Sequence, residues 1–172
     1  CENYMTNGMF FKAVIDRERA LGYQGKCVEP VYHICEEILN RLNKSVDKTK
    51  AEFTIFEIGG TVGEYQNAIF LEAARLLKLR QPQDVMFVMV SYLPVPGSIG
   101  EMKTKLTQNA IRQLNSYGIQ PDMIIARSEV AIDNRRKEKI AVANGVLSEN
   151  IIAAPDIKSI YEVPINFERD GL

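Results

Sequence analysis

The chain of 172 residues has no tryptophan, one histidine and three cysteines, and its 21 Lys and Arg nearly balance its 22 Asp and Glu. Each scarcity removes a class of protein. His33 with Cys1, Cys27 and Cys35 matches no usual ligand spacing for zinc, and three thiols make no disulfide framework, so the cysteines are expected to be free. A formal net charge of −1 gives no general attraction to nucleic acid or to an anionic membrane, and neither is expected as a partner. No apolar run approaches the roughly 18 residues of a membrane span, and CENYMTNGMFF is not a basic segment followed by an apolar one. The expected location is cytoplasmic, and any phosphate binding has to come from cations placed locally.

What is present is the composition of one core: 46% hydrophobic and 25% charged residues, in a length that requires no second domain. The chain begins with Cys1 rather than methionine and stops at Asp170-Gly171-Leu172, straight after an apparent structural element, so it reads as a fragment. Apolar stretches of strand length alternate with amphipathic stretches of helix length, the pattern of parallel βαβ units. The expected strands are 53–58, 85–92, 123–127 and 150–154, each dense in Val, Ile, Phe or Met with little alternation, as when helices cover both faces of the sheet. The expected helices are 8–20, 30–43, 66–78, 101–117 and 134–144, with a short turn at 158–161. Pro30 suits a first helical turn and Gly118 a helix stop. Residues 44–50 read as a basic connector, and Leu93-Pro94-Val95-Pro96-Gly97 as a rigid turn closing the second strand.

Two stretches carry chemistry. In FEIGGTVGEYQ (56–66), Glu57 stands near the end of an expected strand and is followed by three glycines, Gly59, Gly60 and Gly63. Ligands of open parallel sheets collect at the carboxyl ends of the strands, where such an acid can hold Mg²⁺ beside a nucleotide phosphate. The plainer alternative, that Glu57 pairs locally and the glycines only make a turn, stays open. GSIGEMKTKLTQ (97–108) also follows a strand and opens a helix. It narrowly imitates G-x-x-x-x-G-K-[ST], but Met102 stands where the loop needs glycine, so a P-loop is rejected. Lys103 and Lys105 remain in an expected first helical turn, opposing the helix dipole, with Thr104, Thr107 and Gln108 beside them. A bound anion relieves that opposition; a solvated charged face is the rival reading.

FEIGGTVGE, GEMKTKLTQ, SYGIQPDMIIARSE, RRKEKIA and DIKSIYEVP stand in the order and approximate spacing of the synthetase (amidoligase) domain of CTP synthase, which the chain therefore resembles. NYMTNGMFFKAVIDRERALGYQGKCVEPVYHI resembles the family's N-terminal stretch, so the likeness covers nearly all 172 residues, as a partial domain. It implies a three-layer, Rossmann-like fold of the P-loop NTPase kind: a mostly parallel sheet with helices on both faces. The family's true P-loop, an aspartate sharing the Mg²⁺ and the C-terminal glutaminase domain are expected outside this chain. The implied chemistry is phosphorylation of the 4-oxygen of UTP by ATP, followed by displacement of that phosphate by ammonia from glutamine, giving CTP. By resemblance Glu57 is the Mg²⁺ ligand, while Lys103, Thr104, Lys105, Gln108 and Lys139 bind UTP or CTP. The loop Glu64-Tyr65-Gln66 matches the family's Asp-Ile-Glu around UTP and in feedback by CTP, and a homotetramer is implied.

The departures are Gln66 in place of the last acid, Leu106 in place of proline and Met9 in place of arginine. The first removes a charge and adds a donor where uracil and cytosine are told apart. No residue is assigned a catalytic role. Two rival classes remain: a catalytically inactive UTP/CTP-binding or assembly module, and an enzyme using Cys1 as an N-terminal nucleophile, which needs a layered β architecture that these parallel-type strands do not predict. His33 and Cys35 lie two apart on a helix, face different ways and are expected to pack.

Overall fold

The computed structural model describes residues 3–98 and 100–172, which group into two units, Cys1–Val85 and Met86–Leu172. Cys1, the nucleophile of the second rival reading, lies outside the described residues.

The first unit is helical: α1 (Asn7–Arg19), α2 (Pro30–Thr49) and α3 (Ala68–Arg80), the last entered through a single 3-10 turn at Tyr65–Asn67. Its interior forms because apolar residues recur one helical turn apart. Phe10 and Val14 on α1 meet Ile34, Cys35, Ile38 and Leu39 on α2 and Ala73 on α3, all buried. The Phe10 ring meets Phe70 edge-on, with centroids 5.2 Å apart.

Two expectations fail in this unit. Residues 44–50 are not a connector, because α2 continues to Thr49. Leu42 and Val46 extend its half-buried stripe while Lys44 and Lys48 face water, and Lys50 ends the helix in the left-handed region at φ 52°, its N–H donating to the Val46 carbonyl. Residues 53–58 are not a strand. A strand exists only through its neighbour's ladder, and no described residue pairs with this segment: Phe53 and Ile55 are 91% and 95% exposed, and Phe56 packs on the helical core instead.

The second unit is a parallel sheet with crossover helices. β1 (Val88–Tyr92), β2 (Met123–Ser128) and β3 (Ile151–Pro155) lie in that order, with Val88 opposite Met123 and Ile124 opposite Ile151. The first strand starts three residues later than expected because Asp122 takes the Phe87 N–H on its side chain at 2.7 Å. β2 and β3 bury almost continuous apolar runs, whereas β1 alternates, burying Met89 and exposing Val88, Val90 and Tyr92. α4 (Lys105–Ser116) joins β1 to β2 and α5 (Asn134–Asn144) joins β2 to β3. The right-handed crossover rule puts both on one face of a sheet whose strands run in chain order, and the two helices pack together. Gly118, at φ +74°, ends α4 as expected.

A further helix, α6 (Val163–Arg169), follows β3 and packs against it. The sequence reading has only a turn near here; Pro164 in the first helical turn is the start signal it passed over. Asp170 at its end accepts from the Ala153 N–H of β3 at 2.5 Å and from Lys137 of α5 at 2.7 Å, which closes that strand's outer edge.

Candidate functional site

The carboxyl ends of β1 and β2 are tied together before their chains diverge. The Leu93 N–H donates to the Arg127 carbonyl at 2.8 Å, and the buried Ser128 hydroxyl donates to the Leu93 carbonyl at 2.8 Å. The chain then turns back, so that the Lys103 N–H donates to the Pro94 carbonyl at 2.9 Å. Met102 buries its side chain there.

Because of that return, residues 101–104 approach α4 outside the helix. Thr104 is the N-cap and Lys105 the first helical residue, so of the two lysines expected in the first turn only Lys105 is helical. After β2, Asp133 caps α5 by accepting from the Arg136 N–H at 2.8 Å, which together with the Arg136 guanidinium holds its carboxyl below the usual carboxylate range.

Between these two loops lies an open cleft of about 180 Å³ lined by Glu101, Met102, Lys103, Thr104, Lys105, Arg135, Arg136 and Lys139. Lys103, Lys105 and Lys139, expected to serve one anion, therefore line one cleft. Arg135 and Arg136 join them, and sequence reasoning missed both. Their signal was available, since they stand in RRKEKIA beside Lys139 and follow the same strand end. Arg136 donates to the Met102 carbonyl at 3.2 Å and pairs with Asp133. Lys105, Arg135 and Lys139 make no ion pair among the described residues. Glu101 is the one carboxylate of the lining, 2.7 Å from Lys103 and 3.6 Å from Arg136; Lys103 foremost, then Arg136 and Lys139, hold it below the usual range.

Thr104 and Gln108 behave differently from the lysines. Both are buried, and the Gln108 amide donates to the Thr104 hydroxyl at 3.0 Å, so Gln108 braces the start of α4 and is absent from the cleft lining. Thr107, in the same first turn, ties α4 to the sheet, its hydroxyl 2.8 Å from that of Ser91 on β1.

In the first unit the glycine loop is a self-bonded turn. Glu64 accepts from the Thr61 N–H at 3.0 Å and from the Gln66 amide at 2.8 Å, and Asn67 donates to the Gly59 carbonyl at 2.6 Å. Gly60, at φ +87°, stands in the left-handed region that favours glycine, and a Cβ there would push aside the Asn67 amide and the Glu64 carboxylate, 2.6 and 2.7 Å away. Tyr65 is wholly presented to solvent. Glu57 is exposed and makes no hydrogen bond or ion pair among the described residues, where no group of three or more His, Cys, Asp or Glu gathers. One unengaged carboxylate fits Mg²⁺ in its common manner, with a single protein oxygen and the remaining positions filled by phosphate and water.

Cys27 and Cys35 are unbridged, and no helix of the described residues is long and apolar enough to cross a membrane.

Comparison with known proteins bears on all of this. The family described as CTP synthase N-terminus matches residues 1–172. The CTP synthase of Methanothermobacter thermautotrophicus is 46% identical over 165 residues, covering 95% of this chain and 31% of that protein. That of Picosynechococcus sp. is 41% identical over 171 residues, 99% of this chain and 31% of its own length; that of Methanococcus maripaludis is 41% identical over 172 residues, 99% and 32%. The chain thus spans about a third of the length of these relatives. Matched from its first residue to its last, and carrying a parallel α/β sheet with its cations gathered at the strand ends, the chain belongs to the CTP synthase N-terminal family.

Proposed function

We propose that residues 1–172 are part of an amidoligase domain that takes part in ATP-dependent conversion of UTP to CTP with ammonia from glutamine. The observation that carries this reading is the cleft in which five cations, Lys103 before α4 and the others in the first turns of α4 and α5, face one carboxylate. Such an excess of positive charge at the N-terminal ends of α4 and α5 suits a nucleoside triphosphate. In the proposed reaction the UTP 4-oxygen attacks the γ-phosphorus of ATP, ADP departs and N3 of the base gives up its proton; ammonia then adds at C4 and loses a proton, and the C4–O bond breaks as phosphate leaves with the oxygen. The lysines and arginines hold the UTP phosphates and so position the base. Glu57 would hold Mg²⁺, which supplies charge neutralisation where the phosphate meets the oxygen. The loop of Glu64, Tyr65 and Gln66, which belongs to the first unit, is proposed by resemblance to take part in UTP or CTP binding, with the Tyr65 ring exposed. A glutaminase domain elsewhere in the complete gene product, a homotetramer and a cytoplasmic location belong to the same reading; nucleic acid and membrane do not.

The test is titration of UTP, CTP and ATP against Lys105→Ala and Lys139→Ala in the complete gene product. Each charge-assisted contact contributes about 1.5–3 kcal/mol, so UTP and CTP should bind about ten- to a hundredfold more weakly, and ATP nearly as before. Equal, small effects on all three nucleotides would remove the pyrimidine nucleotide from this cleft. Normal UTP binding by a wild-type product that makes no CTP would favour the inactive binding module.

A further inference from the structure

The cleft already contains an anion. Glu101 stands among five cations, 2.7 Å from Lys103 and 3.6 Å from Arg136, on the stretch that links Gly100, at φ +64°, to the cap of α4. Its side chain is 57% exposed, and its polar contacts there are with Lys103 and Arg136. Arg136 is anchored independently by Asp133 and the Met102 carbonyl, whereas Glu101 is the only ion-pair partner of Lys103 among the described residues.

We propose that Glu101 is an internal counter-anion that a bound polyphosphate has to displace before it can engage Lys103, so that this carboxylate sets the affinity of the cleft. The inference rests on the anion-binding reading of the cleft given above. Its physical basis is an exchange of partners. With Glu101 present, Lys103 passes from carboxylate to phosphate and the net gain is the difference of two charge-assisted contacts; with Glu101 neutral, the whole lysine–phosphate contact is gained. The exposed carboxylate makes the exchange possible without moving α4, whose first turn is fixed by the buried Thr104–Gln108 bond.

Inorganic pyrophosphate, titrated calorimetrically into the complete gene product, is the probe. Glu101→Gln should bind it about three- to tenfold more tightly than wild type. Lys103→Ala should cost about twofold or less in the wild-type background and about tenfold in the Glu101→Gln background, a non-additivity that a merely structural role of Glu101 does not produce. Equal or weaker binding by Glu101→Gln, or the same cost of Lys103→Ala in both backgrounds, overturns the proposal and leaves the anion site standing. Failure of both wild type and Glu101→Gln to bind pyrophosphate overturns the anion site and the proposal together.

Discussion

Cys27 and Cys35 are the same residue type eight positions apart, and their surroundings make them different reagents. Burial, and then the charges of Glu72 and Glu36, push the Cys35 thiol up to about 11, while its sulfur faces the Ile69 carbonyl at 3.8 Å. Cys27 is exposed. The thiolate is the nucleophile, so iodoacetamide at about pH 8 should modify Cys27 at least about tenfold faster than Cys35 in the folded protein, and both alike once it is unfolded. Peptide mapping of the alkylated protein reads this directly; equal modification of both in the folded state would mean that α3 does not shield Cys35. The expectation that Cys35 packs was legible in the sequence, where His33 and Cys35 lie two apart on a helix and face different ways. The unequal reactivity was not, because the shielding comes from α3.

At the scale of elements, Glu37 binds α1 to α2. It accepts from Arg41 of its own helix at 2.8 Å and from Arg17 of α1 at 2.9 Å, and its side chain is 9% exposed. Burial alone would raise its pKa, and the hydrogen bonds from Arg41 and Arg17 overcome that and hold it below the ordinary glutamate range. A depressed folded pKa means stability that is present above the ordinary range and lost as the pH falls through the lower, folded value. Glu37→Gln should therefore cost about 1–3 kcal/mol at neutral pH, and the cost should shrink towards zero below about pH 4 as the wild-type carboxyl becomes protonated. Urea unfolding of both proteins across that range checks it; a cost independent of pH would show that the carboxylate charge contributes nothing. Arg17 and Glu37 are twenty residues apart with a left-handed turn between α1 and α2, which is why the pair could not be read from helical spacing whereas Glu37 and Arg41, at i and i+4, could.

For the whole molecule, Glu57 belongs to the first unit and the cationic cleft to the second, so variants test the two units separately. Glu57→Ala in the complete gene product should lower CTP formation at least about a hundredfold while the affinity for UTP changes less than about twofold, because in the proposed reaction Glu57 serves the phosphoryl transfer and the lysines serve binding. Steady-state CTP formation beside equilibrium UTP titration makes the comparison. Unchanged CTP formation would remove Glu57 from the reaction.

Read by itself, the sequence was sufficient for the parallel α/β class, for α1, α5 and the three strands to within a few residues, and for the family through five ordered motifs. These are local properties: hydrophobic period, caps such as Pro30 and Gly118, and residue identity at fixed spacing. Tertiary structure decided the rest. It left 53–58 without a ladder, because pairing depends on a neighbour that the segment's own β-propensity cannot supply. It turned Thr104 and Gln108 inward while leaving Lys105 at the surface, and it brought Arg135, Arg136 and Lys139 to Glu101 and Lys103 across a gap in sequence of more than thirty residues. That meeting follows from the register of Val88 against Met123, which puts two strand ends side by side, and local sequence carries no measure of that distance.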